Sequence, residues 1–328
     1  MKNIIIFDTA LGTSNAGDEI ILDAINRNMS DVFSSGFSLR LATHVNNFSA
    51  KQMLRRNMKV KYFQNADWKF VCGTNLIAQK RLGKINSQWQ LYISNLSIYK
   101  NSVLIGAGTT GNTEQLDFYA KYLYKKVLSK EFVHSVRDEL TKKIVESLGC
   151  KAINTGCPTL WELTPEHCKT IPQGKAENCI LSVSGYTEQI DRQNDQKMLQ
   201  ILKKNYKKLW AWIQTTEDEN YLDSLEGGKS IERIYSLGRY REILQAGNVD
   251  YVGTRLHGGV FALQNSCRSI IISIDHRAEG FHQTNNLPIL KRSEISQKLE
   301  KMICSEFKTE IVINQKAIAE FKSQFRAD

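Results

Sequence analysis

The sequence predicts an α/β protein of two similar-sized halves, each a parallel β-sheet flanked by helices. Three observations lead there. Short β-branched or apolar runs alternate along the chain with segments whose apolar residues recur at helical spacing. The alternation breaks once, between about Leu163 and Lys175, where Thr-Pro, Ile-Pro and Gln-Gly punctuate a polar stretch, and then restarts. With 328 residues, 41% hydrophobic and 24% charged, the chain has the length for two domains and the composition of a globular protein.

Taken in order, residues 3–8 read as a buried strand, and Gly17 to Met29 as a helix with Ile20, Ile21, Ala24 and Ile25 on one stripe. Ser38 to Ala42 is a short strand, and Ser49 caps the helix after it. Lys69 to Cys72 and Ser102 to Gly106 are strands that run into glycine, and Glu114 to Leu128 has helical spacing. Phe132 to Val136 is a strand, and Asp138 to Leu148 a helix stopped by Gly149. Beyond the break, Cys179 to Val183, Leu209 to Ile213 and Ile231 to Tyr235 are strands; Asp191 to Asn205 and Arg239 to Ala246 are helices. Helical segments at Ser293 to Cys304 and Gln315 to Phe325 close the chain. We therefore place one domain at residues 1–162, a linker at 163–176 and a second domain at 177–328, with the last helix packing back on the first domain. Two such halves leave a cleft, a common place for a ligand.

The net charge of +10 draws on runs such as Lys121 to Lys130 and Lys203-Lys204-Asn205-Tyr206-Lys207-Lys208. A solvated basic face explains each run by itself, and no nucleic-acid-binding signature accompanies them, so a nucleic-acid role is excluded. No apolar stretch approaches the roughly 20 residues that span a bilayer, and Ile4 to Phe7 is too short for a signal-peptide core. Seven cysteines, an odd number without a C-x-x-C pair, read as reduced structural thiols. The expected location is the cytoplasm, with peripheral contact at the inner face of a membrane.

The chemistry concentrates after predicted strands. Gly253-Thr254-Arg255-Leu256-His257 follows an apolar run, Gly258 and Gly259 open a helix, and Ile270 to Ile274 leads into Asp275-His276-Arg277. Ligands of such sheets lie beyond the carboxyl ends of the strands, and a helix N-terminus there favours an anion. Arginine holds phosphate or carboxylate bidentately, and histidine exchanges a proton near neutral pH. Arg255, His257 and Arg277 form the strongest set, with Asp275 and Glu279 either orienting the cations or balancing their charge. Asn15-Ala16-Gly17-Asp18-Glu19 is equally well a ligand loop or a capped helix start, and it lacks the dinucleotide fingerprint. Gly106-Ala107-Gly108 reads first as a tight turn. In Ser135-Val136-Arg137-Asp138 the acid makes a good N-cap, and Arg137 by itself is a surface arginine. Metal-ligand spacing and a serine-nucleophile elbow are both missing.

In their order and approximate spacing these five motifs resemble the polysaccharide pyruvyltransferase family over nearly the whole chain. They are Asn15-x-Gly17-Asp18-Glu19, the glycine turn at 106–108, Ser135-Val136-Arg137-Asp138, Gly253-Thr254-Arg255-Leu256-His257 and Asp275-x-Arg277-x-x-Gly280-Phe281. The resemblance implies two Rossmann-like domains arranged as in GT-B glycosyltransferases, with the active site in the interdomain cleft. It implies transfer of a pyruvyl group from phosphoenolpyruvate to sugar hydroxyls, forming a ketal on a cell-surface polysaccharide or its lipid-linked precursor. By analogy Arg137, Arg255, His257, Arg277 and Gly108 bind the donor, and Asn15, Asp18 and Glu19 face the acceptor. His257 would be the acid, Arg255 the charge for departing phosphate, and Asp18 or Glu19 the base. No cofactor or metal is implied beyond the donor substrate. The chain departs from the family where tyrosine–aspartate–x–lysine is usual and Ile274-Asp275-His276-Arg277 stands instead, at Gly156-Cys157-Pro158 in place of aspartate–proline, and in a loop Ala107 to Thr113 without bulky residues. A GT-B glycosyltransferase using a nucleotide-activated sugar and a non-catalytic glycan-binding member are the alternative readings.

Overall fold

The computed structural model describes residues 1–55, 58–83 and 87–325; within them, the side chains of Lys59, His276 and Arg277 lie outside the described set. The chain divides into two compact units. One comprises Met1–Thr13, Ile21–Trp161 and Asn314–Asp328; the other comprises Ser14–Ile20 and Glu162–Ile313. Both are α/β with parallel sheets, as the alternating pattern predicts.

In the first unit, β1 (Lys2–Asp8) leads through α1 (Ala16–Asn28), whose first residues belong to the second unit, to β2 (Gly36–Ala42). Then come β3 (Trp68–Cys72), β4 (Val103–Ile105), α2 (Phe118–Val127), β5 (His134–Val136), α3 (Glu139–Ser147) and β6 (Ala152–Asn154). The strands lie in the order β2-β1-β3-β4, all parallel, and β5-β6 form a parallel pair beside β4. Gly106 N donates to Ser135 Oγ at 2.9 Å and Arg137 N to the Ala107 carbonyl at 2.9 Å, which joins the two sets at their carboxyl ends. Ile4, Ile5, Ile6 and Phe7 are all buried, so β1 is covered on both faces, as a continuous apolar run requires. On one face Ile21 and Ile25 of α1 and Met29 just beyond it meet Phe321 and Phe325 from the C-terminal helix Gln315–Ser323 and its end.

The second unit runs β7 (Asn178–Ser182), α4 (Arg192–Asn205), β8 (Leu209–Trp212), α5 (Thr216–Ser224), β9 (Glu232–Ile234), α6 (Leu237–Gln245), β10 (Val249–Gly253), α7 (Leu256–Gln264), β11 (Ser269–Ser273), α8 (His276–Asn285) and β12 (Ile289–Lys291). Its strand order is β12-β11-β10-β7-β8-β9, all parallel. This is the Rossmann order, in which the first and fourth strands are neighbours and successive connections leave in opposite directions. Residues 162–176 belong to this unit and bury Leu163, Cys168 and Ile171.

Caps place the helix starts. Asp138 accepts from Thr141 N at 2.7 Å and Ser49 from Gln52 N at 3.3 Å, both at positions the sequence marks. The helix expected over Glu114 to Leu128 begins only at Phe118. Asp117 is its cap, accepting from Ala120 N at 2.6 Å and, on its other oxygen, from Arg81 N at 2.6 Å and Leu82 N at 2.9 Å. Those contacts hold the residues before Asp117 in a loop. The expected helix at Ser293 to Cys304 opens with a wide π turn, Ile295–Leu299, before the short helix Glu300–Cys304.

His134 is fully buried on β5. Its Nδ1 accepts from Leu104 N at 3.1 Å, which leaves the proton on Nε2 to donate to the Ser129 carbonyl at 2.8 Å. Burial lowers its pKa from 6.5 to about 4. A depressed histidine contributes stability that is complete above about pH 6.5 and is lost as pH falls towards about 4, because only the unfolded chain takes up the proton between those values. The shift corresponds to about 3 kcal/mol. Urea denaturation of wild type and His134→Gln across that window should show the gap between them closing as pH falls; a gap independent of pH would contradict the assignment.

Candidate active site

At the carboxyl edge of the second unit, β7 and β10 end side by side, with Ser182 opposite Gly253. This is the topological switch point, where the connections splay apart and leave a crevice. A Cβ on Gly253 would lie 2.4 Å from Ser182 Oγ, so the close approach of the two strand ends requires glycine. Arg255 N donates to Ser182 Oγ at 3.0 Å, and Tyr251 Oη donates to the Arg255 carbonyl at 2.7 Å. With the tyrosine proton so used, Ser182 is the donor in its 2.5 Å bond to Tyr251 Oη. The three groups close a cycle that fixes the backbone of Arg255 just where α7 starts.

The Arg255 side chain is as firmly held. Its Nε donates to Asp218 Oδ2 at 2.8 Å, Nη2 donates to Asp218 Oδ1, and Nη2 also reaches Thr215 Oγ1 at 3.3 Å. The ring of Tyr186 lies under the guanidinium, 4.5 Å from its carbon. Asp218 is completely buried and accepts further bonds from Gly185 N at 2.9 Å, Gln214 N at 3.2 Å and Thr215 N at 3.3 Å. The bidentate edge that an arginine could turn to a ligand is thus spent inside the protein.

His257 is half-buried at the second position of α7. No side chain caps this helix at Arg255, so the positive end of its dipole is directed at the crevice. Gly258 and Gly259 allow α7 to lie against the sheet. A Cβ on Gly259 would stand 2.5 Å from Ile271 Cγ1 and 2.8 Å from Tyr251 Cε1. Asp275 is half-buried after β11, and Glu279 lies in the first turn of α8. Arg277 occupies the second position of α8, and its side chain falls outside the described residues.

Asn15, Asp18 and Glu19, expected on the acceptor side, fall in the second unit. Asn15 Oδ1 accepts from Gly17 N and Gln214 Nε2, each at 2.8 Å, and its amide donates to Tyr186 Oη at 3.4 Å. Ala16 N donates to the Gln214 carbonyl at 2.9 Å. A Cβ on Gly17 would sit 2.6 Å from Gln214 Nε2. Asn15 and Arg255 are therefore brought together through Tyr186, while Asp18 is buried and Glu19 exposed.

In the first unit, Arg137 leaves the end of β5 and crosses the glycine turn after β4. A Cβ on Gly108 would lie 2.3 Å from Arg137 Nη2, so Gly108 makes room for the guanidinium. Nη2 donates to Asn75 Oδ1 at 2.7 Å, and the side chain is 10% exposed. Asp138 stands 3.6 Å from Nε but spends its other oxygen on capping α3. Arg137 is paired less closely than Arg255, whose Nε and Nη2 both close on the Asp218 carboxylate.

Sequence reasoning did not single out Asp218, Thr215, Gln214, Tyr186 or Asn75. The Thr215-x-x-Asp218 spacing at the start of α5 marks a helix cap, but nothing in it points to Arg255. Among the described residues no group of three His, Cys, Asp or Glu could hold a metal ion, and no helix is long and apolar enough to cross a membrane. None of the seven cysteines is in a disulfide, and of the seven Cys304 alone is exposed.

A family model described as polysaccharide pyruvyl transferase matches residues 15–276. No curated protein matches the chain. Among solved structures it is similar to a UDP-GlcNAc 2-epimerase from Methanocaldococcus jannaschii, crystallised with UDP-GlcNAc and UDP, with a TM-score of 0.54, 12% identity and 98% of each chain covered. It is also similar to MnaA from S. aureus bound to UDP, with a TM-score of 0.49, 11% identity, 97% of this chain and 94% of the other covered. At 12% identity the likeness to the epimerase shows the fold alone.

The Asp218 network makes the two halves of its ion pair unequal. Without Asp218 the buried guanidinium keeps one hydroxyl and a ring, whereas without Arg255 the carboxylate keeps its backbone donors. Asp218→Ala should cost about 3–5 kcal/mol, the scale for stranding a buried charge, and Arg255→Ala distinctly less. Equal losses in chemical denaturation would refute that ordering.

Proposed function

Because the chain belongs to the polysaccharide pyruvyl transferase family, we propose that it moves a pyruvyl group from phosphoenolpyruvate to two hydroxyls of a sugar, in a polysaccharide or its lipid-linked precursor, and closes a pyruvate ketal. The observation that carries this reading is the β10–α7 turn, where a proton-exchanging histidine sits at an uncapped helix N-terminus beside a fixed arginine. Such a turn suits a substrate that is anionic at both ends and must be protonated between them.

The reaction balances as follows. A proton adds to the methylene carbon of phosphoenolpyruvate, and C2 becomes electron-poor. One acceptor hydroxyl adds to C2 and gives up its proton. The second hydroxyl then replaces phosphate at C2: a C–O bond forms, the bond to the phosphate oxygen breaks with its electron pair, and inorganic phosphate leaves carrying the proton that this hydroxyl gives up. His257 supplies the first proton. Asp18, buried in the segment that follows Asn15, takes the proton from the attacking hydroxyl.

The two arginines divide the remaining work. Arg137, held by one neutral amide and a carboxylate at 3.6 Å, supplies charge to the donor's carboxylate or phosphate. Arg255 is chiefly a positioning residue. Through the Ser182–Tyr251 cycle it fixes the start of α7 that carries His257. Gly108 keeps the Arg137 side chain in place, Arg277 adds donor charge, and Asn15 and Glu19 face the acceptor.

His257→Ala and Arg137→Ala should each lower turnover by at least roughly 100-fold, the scale for losing an acid or a charge stabiliser. The assay is phosphate release from phosphoenolpyruvate with a panel of glycan acceptors, the ketal methyl being followed by NMR. Turnover near wild type in either variant would sink that residue's assignment.

A further inference from the structure

The two basic runs of the sequence meet different fates in the structure. In the run Lys203 to Lys208 every lysine is engaged. Lys204 pairs with Glu300 at 2.8 Å, Lys207 with Glu177 at 3.0 Å and Lys208 with Glu232 at 2.8 Å, while Lys203 donates to the Gly227 carbonyl at 2.9 Å. That run is a solvated, internally balanced face. In the run Lys121 to Lys130, by contrast, Lys121, Lys125, Lys126 and Lys130 are exposed, and none makes an ion pair among the described residues. Residues 118–130 contain no Asp or Glu.

Lys121, Lys125 and Lys126 share their face of α2 with aromatics. Phe118 is 72% exposed and Tyr122, one turn on, is 44% exposed. Helical geometry puts Phe118, Tyr122 and Lys125 along one line, with Lys121 and Lys126 to either side. Lys126 Nζ lies 5.8 Å from the centre of the Tyr122 ring. The opposite face, with Ala120, Leu123, Tyr124 and Val127, is in the core. More apolar surface stands at the same corner. Leu82 is 58% exposed and tied by its N–H to Asp117 at 2.9 Å; Ile93 is 64% exposed, two residues after Leu91, whose carbonyl accepts from Arg81 at 3.3 Å. Arg81 N is itself bonded to Asp117 at 2.6 Å.

We propose that this corner of the first unit, the outer face of α2 with Leu82 and Ile93, docks on an anionic lipid surface. Phe118, Leu82 and Ile93 enter the interface between headgroups and chains while the unpaired lysines meet the phosphates. The apolar side chains are what separate a bilayer from a nucleic acid here: a polyanion would use the lysines and leave Phe118 in water. Nothing in the proposal depends on the pyruvyl-transfer reading.

The test is co-sedimentation of the full chain with vesicles of phosphatidylcholine alone and of equimolar phosphatidylcholine and phosphatidylglycerol. Binding should require the anionic lipid. The triple variant Lys121→Gln/Lys125→Gln/Lys126→Gln should weaken it by roughly 100-fold, the sum of three lysine contacts, and Phe118→Ser by roughly tenfold. The variant Lys207→Gln/Lys208→Gln should bind as wild type does. All substitutions are at exposed positions, and matching thermal melts will establish that each variant is folded. The proposal is overturned by no binding to the anionic vesicles, by binding that ignores the triple substitution, or by binding to RNA as tight as that to vesicles and indifferent to Phe118→Ser.

Discussion

Six donors converge on the Asp218 carboxylate: the N–H groups of Gly185, Gln214 and Thr215, the Thr215 hydroxyl, and Nε and Nη2 of Arg255. They come from the loops that follow β7, β8 and β10, so one buried anion ties together three strand ends on both sides of the switch point. Everything else at this edge is arranged around it. Arg255 lies flat between Asp218 and Tyr186, Tyr186 meets Asn15, and Asn15 reaches back to Gln214. A carboxylate in the interior is tolerable only when its lone pairs are met and its charge matched, and here both conditions hold.

That arrangement decides what each cation can do. An arginine whose fork is closed on a carboxylate contributes geometry more than charge, and Arg255 is of that kind. Arg137 has a neutral amide at 2.7 Å and a carboxylate at 3.6 Å, and the absence of a side chain at Gly108 gives its guanidinium room. Several glycines in these motifs stand where a Cβ would be crowded. Gly253 admits Ser182, Gly259 admits Ile271 and Tyr251, and Gly17 admits Gln214.

Much of this was legible in the sequence. The strands at Ile4, Cys179 and Ile270 are buried on both faces and read as unbroken apolar runs; Asp138 and Ser49 cap their helices because the cap is a local interaction. The motif residues Arg137, Arg255 and His257 stand at strand ends and helix starts, where the alternating pattern puts them. What could not be read is long-range. Asp218 looks like any acid in a helical first turn, and its partner lies 37 residues on. The short strands β6 and β12 carry too few residues for a periodicity to show. The late start of α2 depends on Arg81 and Leu82, 36 and 35 residues away from Asp117. Even the contrast between the two lysine runs is invisible until Glu177, Glu232 and Glu300 are seen beside one of them.

The central claim is that the anion-seeking groups at these strand ends serve phosphoenolpyruvate and not an activated sugar. Calorimetric titration of wild type and Arg137→Ala with phosphoenolpyruvate, alongside a set of nucleotide sugars, tests it most directly. The account predicts saturable binding of phosphoenolpyruvate to wild type, its loss in the variant, and no heat from the nucleotide sugars. Tight uptake of a nucleotide sugar by a protein indifferent to phosphoenolpyruvate would contradict it.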